Sequence, residues 1–195
     1  MNGAWLVIAG AWFAIAAAPV RATTVAGTVS LDGAPAADAV VYLEGAGENP
    51  PPTPGRAVMD QRNLMFVPHV LPIVRGTTVE FTNSDDIQHN VFSPSAIAGK
   101  FNLGAYGPGA DRTVTFTEPG EVLVLCNIHM EMEARILVLR DPYFALTGPG
   151  GAYRIAEVPA GRYTARVWQD AFLPEVRTID IPPNDDVVLD LPLSR

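Results

Sequence analysis

The sequence predicts an all-β fold. Short runs rich in Val, Ile, Leu, Thr and aromatic residues follow one another along the chain, and such runs are typical of strands. The 18 prolines and 17 glycines separate these runs, as turn residues separate strands. No segment after residue 22 shows a sustained helical stripe with caps. We therefore expect a fold built from β-sandwiches.

Each predicted strand is one apolar run bounded by turn residues. One run, from Glu121 to Leu125, is apolar on both faces, so we expect it to be a central strand covered on two sides, with Cys126 at its end. In chain order the predicted strands are Val25–Leu31, Ala39–Leu43, Leu64–Val67, Val70–Val74, Thr77–Thr82, Gln88–Phe92, Arg112–Thr117, Glu121–Leu125, Ala134–Leu139, Ala152–Ala156, Gly161–Trp168, Glu175–Ile181 and Asp186–Leu191.

Residues 1–22 form an apolar run that ends in small residues, with Val20 and Ala22 at the minus-three and minus-one positions. This pattern is typical of a signal peptide, which we expect to be cleaved before Thr23. The usual basic residues at its start are missing, and an uncleaved membrane anchor is the alternative. Because Gly10 and Pro19 interrupt the run, it is short for a bilayer span. We therefore expect export to the periplasm and no stable membrane insertion after cleavage.

The charge of the chain argues against nucleic acid as a partner. There are 13 basic and 21 acidic residues, which give a formal net charge of −8. Phosphate binding needs clustered Lys and Arg. The chain also has a single cysteine, Cys126, which cannot form an internal disulfide. In an oxidising compartment it is buried, links a dimer or binds a metal.

Four side chains suggest a metal site. Cys126, His129 and Met132 follow a predicted strand at the spacing Cys-x-x-His-x-x-Met, and such a short loop places a thiolate, an imidazole and a thioether around one point. A second imidazole, His89, lies on another predicted strand and precedes Asn90. One thiolate, two imidazoles and one thioether are the ligand set of a blue-copper electron-transfer centre.

Each of these residues taken singly has a structural interpretation, because lone cysteines and methionines commonly pack in cores. Their joint spacing on an exported all-β scaffold favours the metal site. Met130 offers the same thioether as Met132, but it directly follows His129 and should point away from Cys126, so we expect Met132 to be the axial ligand. His69 lies outside the ligand motifs, and we expect it to be structural.

The block from about residue 56 to residue 140 resembles the cupredoxins, small Greek-key sandwiches that carry one copper. The specific motifs are the His-Asn-Val tripeptide at 89–91 and Cys-x-x-His-x-x-Met at 126–132, and the ligand loop looks like that of amicyanin. With the tail that follows it, the block is similar to bacterial proteins of the methylamine-utilisation or plastocyanin-like type. Proline commonly follows the second ligand histidine in that group, whereas this chain has Met130.

The resemblance implies one type 1 copper ion bound by His89, Cys126, His129 and Met132. In cupredoxins the residue that matches Asn90 ties the two ligand loops together and directs its backbone N–H at the thiolate. Such bonds orient the ligands and tune the reduction potential.

The pieces on either side of this block resemble, when joined, the carboxypeptidase regulatory-like domain, a small Ig- or transthyretin-like sandwich. The resemblance rests on Gly-x-Val and Gly-x-Pro near residues 27–35 and on Val-Pro-x-Gly-x-Tyr at 158–163. Since two short strands cannot bury a core alone, we predict a discontinuous domain, 23–48 plus 143–195, into which the cupredoxin block 56–140 is inserted. The proline-rich segment 45–55 and Asp141 to Tyr143 are the predicted junctions. The alternatives are three independent pieces, or an N-terminal hairpin that extends the middle sandwich.

The function that the resemblance implies is single-electron transfer between periplasmic redox partners, such as a cytochrome c or a dehydrogenase. Acidic residues flank the ligands in the sequence, namely Asp85, Asp86, Glu131 and Glu133, so we expect the approach surface to favour a basic partner.

Other functions stay open. A copper carrier or storage protein would use the same ligands, and Met59, Met65 and Met130 offer further thioethers. The metal would be merely structural if the regulatory-like domain were a binding module. An enzyme is not expected, because three histidines are too few for a multicopper oxidase or a nitrite reductase and Cys126 with His129 lacks an orienting acid.

Overall fold

The computed structural model describes residues 23–45, 55–96, 100–170 and 175–194. The predicted signal peptide and nearly all of the predicted linker 45–55 lie outside these ranges. Every regular element within the ranges is a strand, so the predicted all-β fold is confirmed. Over the same ranges, no helix has the length and hydropathy needed to cross a bilayer.

The strands are numbered in chain order. They are β1 Thr23–Leu31, β2 Ala34–Pro35, β3 Val40–Glu44, β4 Arg56–Arg62, β5 Met65–Val67, β6 Val70–Val74, β7 Thr77–Asn83, β8 His89–Ser93, β9 Phe101–Tyr106, β10 Asp111–Phe116, β11 Gly120–Leu125, β12 Glu133–Leu139, β13 Phe144–Leu146, β14 Ala152–Val158, β15 Gly161–Trp168, β16 Glu175–Ile181, β17 Val187–Val188 and β18 Leu191–Leu193.

Most predicted strands agree with these bounds to within one or two residues. The prediction missed β2, β4, β9 and β13, and it merged β17 and β18 into one strand. Strand β4 is not recognisable from the sequence pattern, because Asp60 and Gln61 interrupt its apolar residues although both are buried. A parallel pairing with β7 along six residues of β4 forms this strand nonetheless.

The middle block is a pair of sheets with one core between them. One sheet has the order β10-β7-β4-β5 and the other β6-β12-β11-β8-β9. Side chains from both sheets share a single apolar cluster, among them Phe81 and Phe116 from the first and Val124 and Ile136 from the second. Cys126 and Met132 belong to the same cluster, so the candidate ligands lie at the margin of this core.

Strand β11 is central, since it pairs with β12 on one side and with β8 on the other. Val122 and Val124 are buried in the core, whereas Leu123 and Leu125 on the opposite face are half-buried and Glu121 is exposed. The expectation that both faces are covered is therefore correct for one face and only partly so for the other.

Strands from the two ends of the chain share sheets. Strand β1 pairs with β14, β17 and β18, and β3 lies between β13 and β15. Val29 and Val41, from the N-terminal piece, pack in one core with Tyr153 and Tyr163 from the C-terminal piece. In the described residues, the strands before residue 45 thus pair among themselves and with strands after residue 143.

A small apolar cluster joins the two cores. Val40 and Trp168 from the outer pieces pack with Val70, Leu137 and Leu139 of the middle block. The indole N–H of Trp168 also donates a hydrogen bond to the Glu121 carboxylate at 3.1 Å. Apolar packing and this hydrogen bond therefore connect the outer strands to the sheet that contains β11 and β12.

Candidate metal centre

Three of the predicted ligands lie together. His89 is the first residue of β8, Cys126 directly follows β11, and His129 lies in the turn that leads to β12. One ligand atom from each side chain can be chosen so that all three atoms lie within 4.8 Å of one another. The two Nδ1 atoms of the histidines are 3.0 Å apart. Among the described residues this is the one group of His, Cys, Asp and Glu side chains with such geometry.

Backbone hydrogen bonds close the turn that holds Cys126 and His129. The backbone N–H of Cys126 donates to the carbonyl of Met132 at 3.2 Å, and the N–H of Met132 donates to the carbonyl of His129 at 3.1 Å. The first bond continues the antiparallel pairing of β11 and β12 by one residue, and the second closes a turn within the loop. The strands therefore fix where this short loop begins and ends.

The sulfur of Cys126 is surrounded by donors. The backbone N–H groups of Asn90 and His129 point at Sγ with donor–acceptor distances of 3.5 and 3.4 Å. These two contacts hold the sulfur in place at the end of β11. A buried cysteine sulfur beside two imidazole nitrogens fits a soft or borderline metal such as copper.

Asp85 orients the His89 ring. Its carboxylate lies 2.9 Å from Nε2 of His89, which assigns the proton to Nε2 and leaves Nδ1 free for a metal. The same carboxylate accepts backbone hydrogen bonds from Asn63 at 2.6 Å and Leu64 at 3.0 Å. Desolvation acts to raise the pKa of Asp85, but the hydrogen bonds from Leu64, Asn63 and His89 outweigh it and hold the pKa below its usual range.

Sequence reasoning treated Asp85 only as an acidic residue near the ligands and missed this role. The spacing of four residues before His89 is the signal that could have indicated it, because both residues flank the same turn.

Asn90 contacts both the loop that holds Cys126 and the neighbouring strand β9. Its backbone N–H points at the sulfur of Cys126, as the resemblance leads us to expect. Its side-chain amide donates to Asn102 on β9 at 2.8 Å. The backbone of Asn90 therefore joins the two ligand loops, and its side chain links β8 to β9.

The two methionines of the loop are in opposite environments. Met132 is 1% exposed and packs in the cluster that contains Cys126, whereas Met130 is 90% exposed. His69 lies apart from the ligand cluster: its Nδ1 contacts the carbonyl of Glu133 at 3.2 Å, and its Nε2 lies 4.0 Å from Asp170.

The surface near His129 combines apolar side chains with carboxylates. Leu64 and Met130 line a groove together with His129, and Ile87 and Ile128 are further exposed apolar residues of the ligand loops. Asp86 and Glu131 are exposed, while Asp85 is engaged by hydrogen bonds and Glu133 lies 3.8 Å from the guanidinium of Arg135. Two of the four flanking carboxylates are thus partnered within the chain.

Comparison with known proteins shows which family the middle block is similar to. Residues 55–139 match the family model described as copper binding proteins, plastocyanin/azurin family. No curated protein matches this chain.

Several solved structures are similar to part of the chain. An oxidised amicyanin variant has a TM-score of 0.42 and 24% identity, over 44% of this chain and 83% of that one. A purple cupredoxin from Nitrosopumilus maritimus has a TM-score of 0.37 and 23% identity, over 44% of this chain and 99% of that one. A copper-containing nitrite reductase from Thermus scotoductus has a TM-score of 0.42 and 28% identity, and the match covers 51% of this chain but only 25% of that enzyme.

The family that matches residues 55–139 binds copper by its description, and the ligand cluster lies within those residues. These two observations confirm the predicted copper cofactor. Residues 55–139 are therefore similar to the copper binding proteins of the plastocyanin/azurin family.

Proposed function

We propose that this protein is exported to the periplasm and carries single electrons between redox partners through one copper ion held by His89, Cys126, His129 and Met132. The observation that carries the proposal is the ligand cluster, in which two imidazole Nδ1 atoms lie 3.0 Å apart beside a buried sulfur. A copper ion bound there would supply a Cu(II)/Cu(I) couple. Export is inferred from residues 1–22.

The protein holds the ligands in fixed positions. Asp85 orients the ring of His89, two backbone N–H groups hold the sulfur of Cys126, and the closed turn holds His129. Ligands that are held by strands and hydrogen bonds move little when an electron is gained or lost. This rigidity suits electron transfer better than it suits release of the metal.

Met132 is the proposed axial ligand. It is buried at the end of the loop and packs in the cluster that includes Cys126. Met130 is 90% exposed, so its side chain extends into solvent on the turn. In this assignment Met130 is not a ligand of the bound copper ion.

Electrons would enter and leave near His129, which lines the surface groove with Leu64 and Met130. A partner could press apolar side chains against this groove while its basic residues face Asp86 and Glu131. A cytochrome c or a periplasmic dehydrogenase with a basic docking surface fits this description. The proposal contains no catalytic step.

We further propose that residues 23–48 and 143–195 form one discontinuous sandwich with the copper block, 56–140, inserted into it. The pairing of β1 with β14 and of β3 with β15 supports this division. The shared core of Val29, Val41, Tyr153 and Tyr163 supports it as well. An N-terminal hairpin that merely extends the middle sandwich would pair with β4 to β12.

A copper carrier is the second candidate, because Met130 places a thioether in solvent beside the site. Metal titration followed by absorbance separates the two. The electron carrier should develop an intense sulfur-to-copper charge-transfer colour with Cu(II), lose it on reduction and recover it on oxidation.

The control is Cys126→Ser, which removes the thiolate and should abolish the colour while the far-ultraviolet circular dichroism of the all-β fold persists. A wild-type protein that stays colourless with Cu(II), or that hands Cu(I) quickly to a chelator, would contradict electron transfer and favour the carrier.

A further inference from the structure

Met130 is more exposed than any other large apolar side chain in the described residues, at 90%. A single exposed apolar residue needs no explanation on its own. The position of Met130 does need an explanation, because this residue directly follows His129 in the turn between β11 and β12. A flexible, polarisable thioether is therefore held in solvent next to the ligand cluster.

Two grooves meet at Met130. The first encloses about 280 Å³ and is lined by Leu64, His129, Met130, Glu131 and Met132. The second encloses about 230 Å³ and is lined by Phe92, Leu125, Cys126, Asn127 and Met130. Met130 is the residue that the two grooves share. Its side chain thus stands between the approach to His129 and Met132 and the approach to Cys126.

Three of the four proposed ligands are hidden from an incoming ion, since His89 is 0% exposed, Cys126 is 3% exposed and Met132 is 1% exposed. His129 is half-buried and lines the first groove beside Met130. A copper ion that arrives from solvent therefore meets Met130 and His129 at the surface. Met130 is the more exposed of the two, at 90%, and its thioether is the softer donor, which suits Cu(I). The exposed carboxylate of Glu131 beside it attracts cations to the same place.

We propose that Met130 is a capture site for Cu(I), which binds the ion first and passes it to Cys126 and His129 through the adjoining grooves. The inference rests on the proposed copper site and adds a loading residue to it. The step exchanges ligands only: the ion stays Cu(I), and the Cys126 thiol releases its proton to solvent as its thiolate binds. Met130 acts on the rate of loading and is absent from the final ligand set.

The test measures how fast the metal-free protein takes Cu(I) from a coloured Cu(I) chelator, by stopped-flow absorbance. Met130→Leu keeps the size of the side chain and removes the sulfur. We expect it to slow uptake by roughly tenfold, because the exposed soft donor is lost. Uptake of Cu(II) should change little, and after oxidation the loaded variant should show the wild-type spectrum.

The matched control is Met65→Leu, which removes a second exposed thioether, 56% exposed on β5, that lines neither groove. This variant should load Cu(I) at the wild-type rate. Equal rates for wild type and Met130→Leu, or an equal loss in both variants, would overturn the capture role while leaving the copper site intact. A wild-type protein that binds no copper from either oxidation state would instead overturn the proposed function, and the capture role with it.

Discussion

At the scale of single residues, the His89 ring is oriented by a carboxylate behind it, and its other nitrogen faces His129. Nε2 contacts the Asp85 carboxylate at 2.9 Å and Nδ1 faces His129 at 3.0 Å. Asp85 also receives the backbone N–H groups of Asn63 and Leu64. One carboxylate thus orients a candidate ligand and a nearby turn together, so its charge and both of its oxygens matter.

Asp85→Asn should weaken copper binding by about 10- to 100-fold, as the loss of a partner behind a metal-bound histidine usually does. The neutral amide oxygen can still accept from Nε2 of His89 and from the N–H of Leu64, but more weakly than a carboxylate, and the –NH₂ cannot accept the N–H of Asn63. The affinity is measured by competition with a chelator of known strength. Asp86→Asn, at an exposed neighbour, is the control for loss of one negative charge. Equal losses in the two variants would show that only the charge matters and would contradict the orienting role.

The ligand set could be read from the sequence because the chemistry of Cys, His and Met and the spacing of the loop are local. The residues that hydrogen-bond to those ligands could not be read from the sequence. Asp85 and Asn102 reach the site only when β8, β9 and the β4–β5 turn come together. Hydrogen bonds between residues distant in sequence leave no periodic signal, so the bond from the Asn90 side chain to Asn102 could not be predicted.

At the scale of elements, the strands that were predicted are those whose own residues carry a local pattern, and a strand that depends on distant partners was missed. Strands β6, β15 and β16 were placed correctly because their residues are β-branched or aromatic and turn residues bound them. Strand β4 was missed because its buried polar residues hydrogen-bond to residues distant in sequence. The hydroxyl of Thr82 donates to Asp60 at 2.8 Å, and the Gln61 amide donates to the hydroxyl of Tyr106 at 2.6 Å.

The turn between β4 and β5 carries a bulky residue in an unfavourable conformation. Asn63 and Leu64 have φ of 55° and 60°, the left-handed region that a two-residue type I′ hairpin requires and that Asn-Gly satisfies best. Leucine there costs about 1–2 kcal/mol. Since Leu64 is 49% exposed and lines the groove at His129, the strain accompanies an apolar side chain presented at the candidate docking surface.

Leu64→Gly should therefore raise the free energy of unfolding by about 0.5 kcal/mol, because relief of the left-handed strain exceeds the added entropy of glycine in the unfolded chain. The same variant should slow electron exchange with a partner protein while the copper colour is kept. Urea denaturation and stopped-flow reduction measure the two effects. Asn63→Gly, which keeps Leu64, is the control and should leave the exchange rate unchanged. A variant that is both less stable and fully active would refute this account of Leu64.

At the scale of the whole molecule, strands from the two ends of the chain pair in the same sheets. Strand β1 pairs with β14, β17 and β18, and β3 separates β13 from β15. Each C-terminal sheet therefore contains an N-terminal strand inside it. The middle block, by contrast, has its own sheets and its own core, and it meets the outer strands through the small cluster around Trp168.

A protein that begins at residue 55 tests this division directly. Without β1 and β3, strands β14 and β15 lose hydrogen-bonding partners, and β14 to β16 lose the core side chains of Val29 and Val41. Their amides should therefore exchange with deuterium almost as fast as in an unfolded chain. Strands β11 and β12 keep their pairing and core, so they should stay protected and the copper colour should survive. Were the N-terminal hairpin an extension of the middle sandwich, the pattern would reverse, with β14 to β16 protected and the metal centre disturbed.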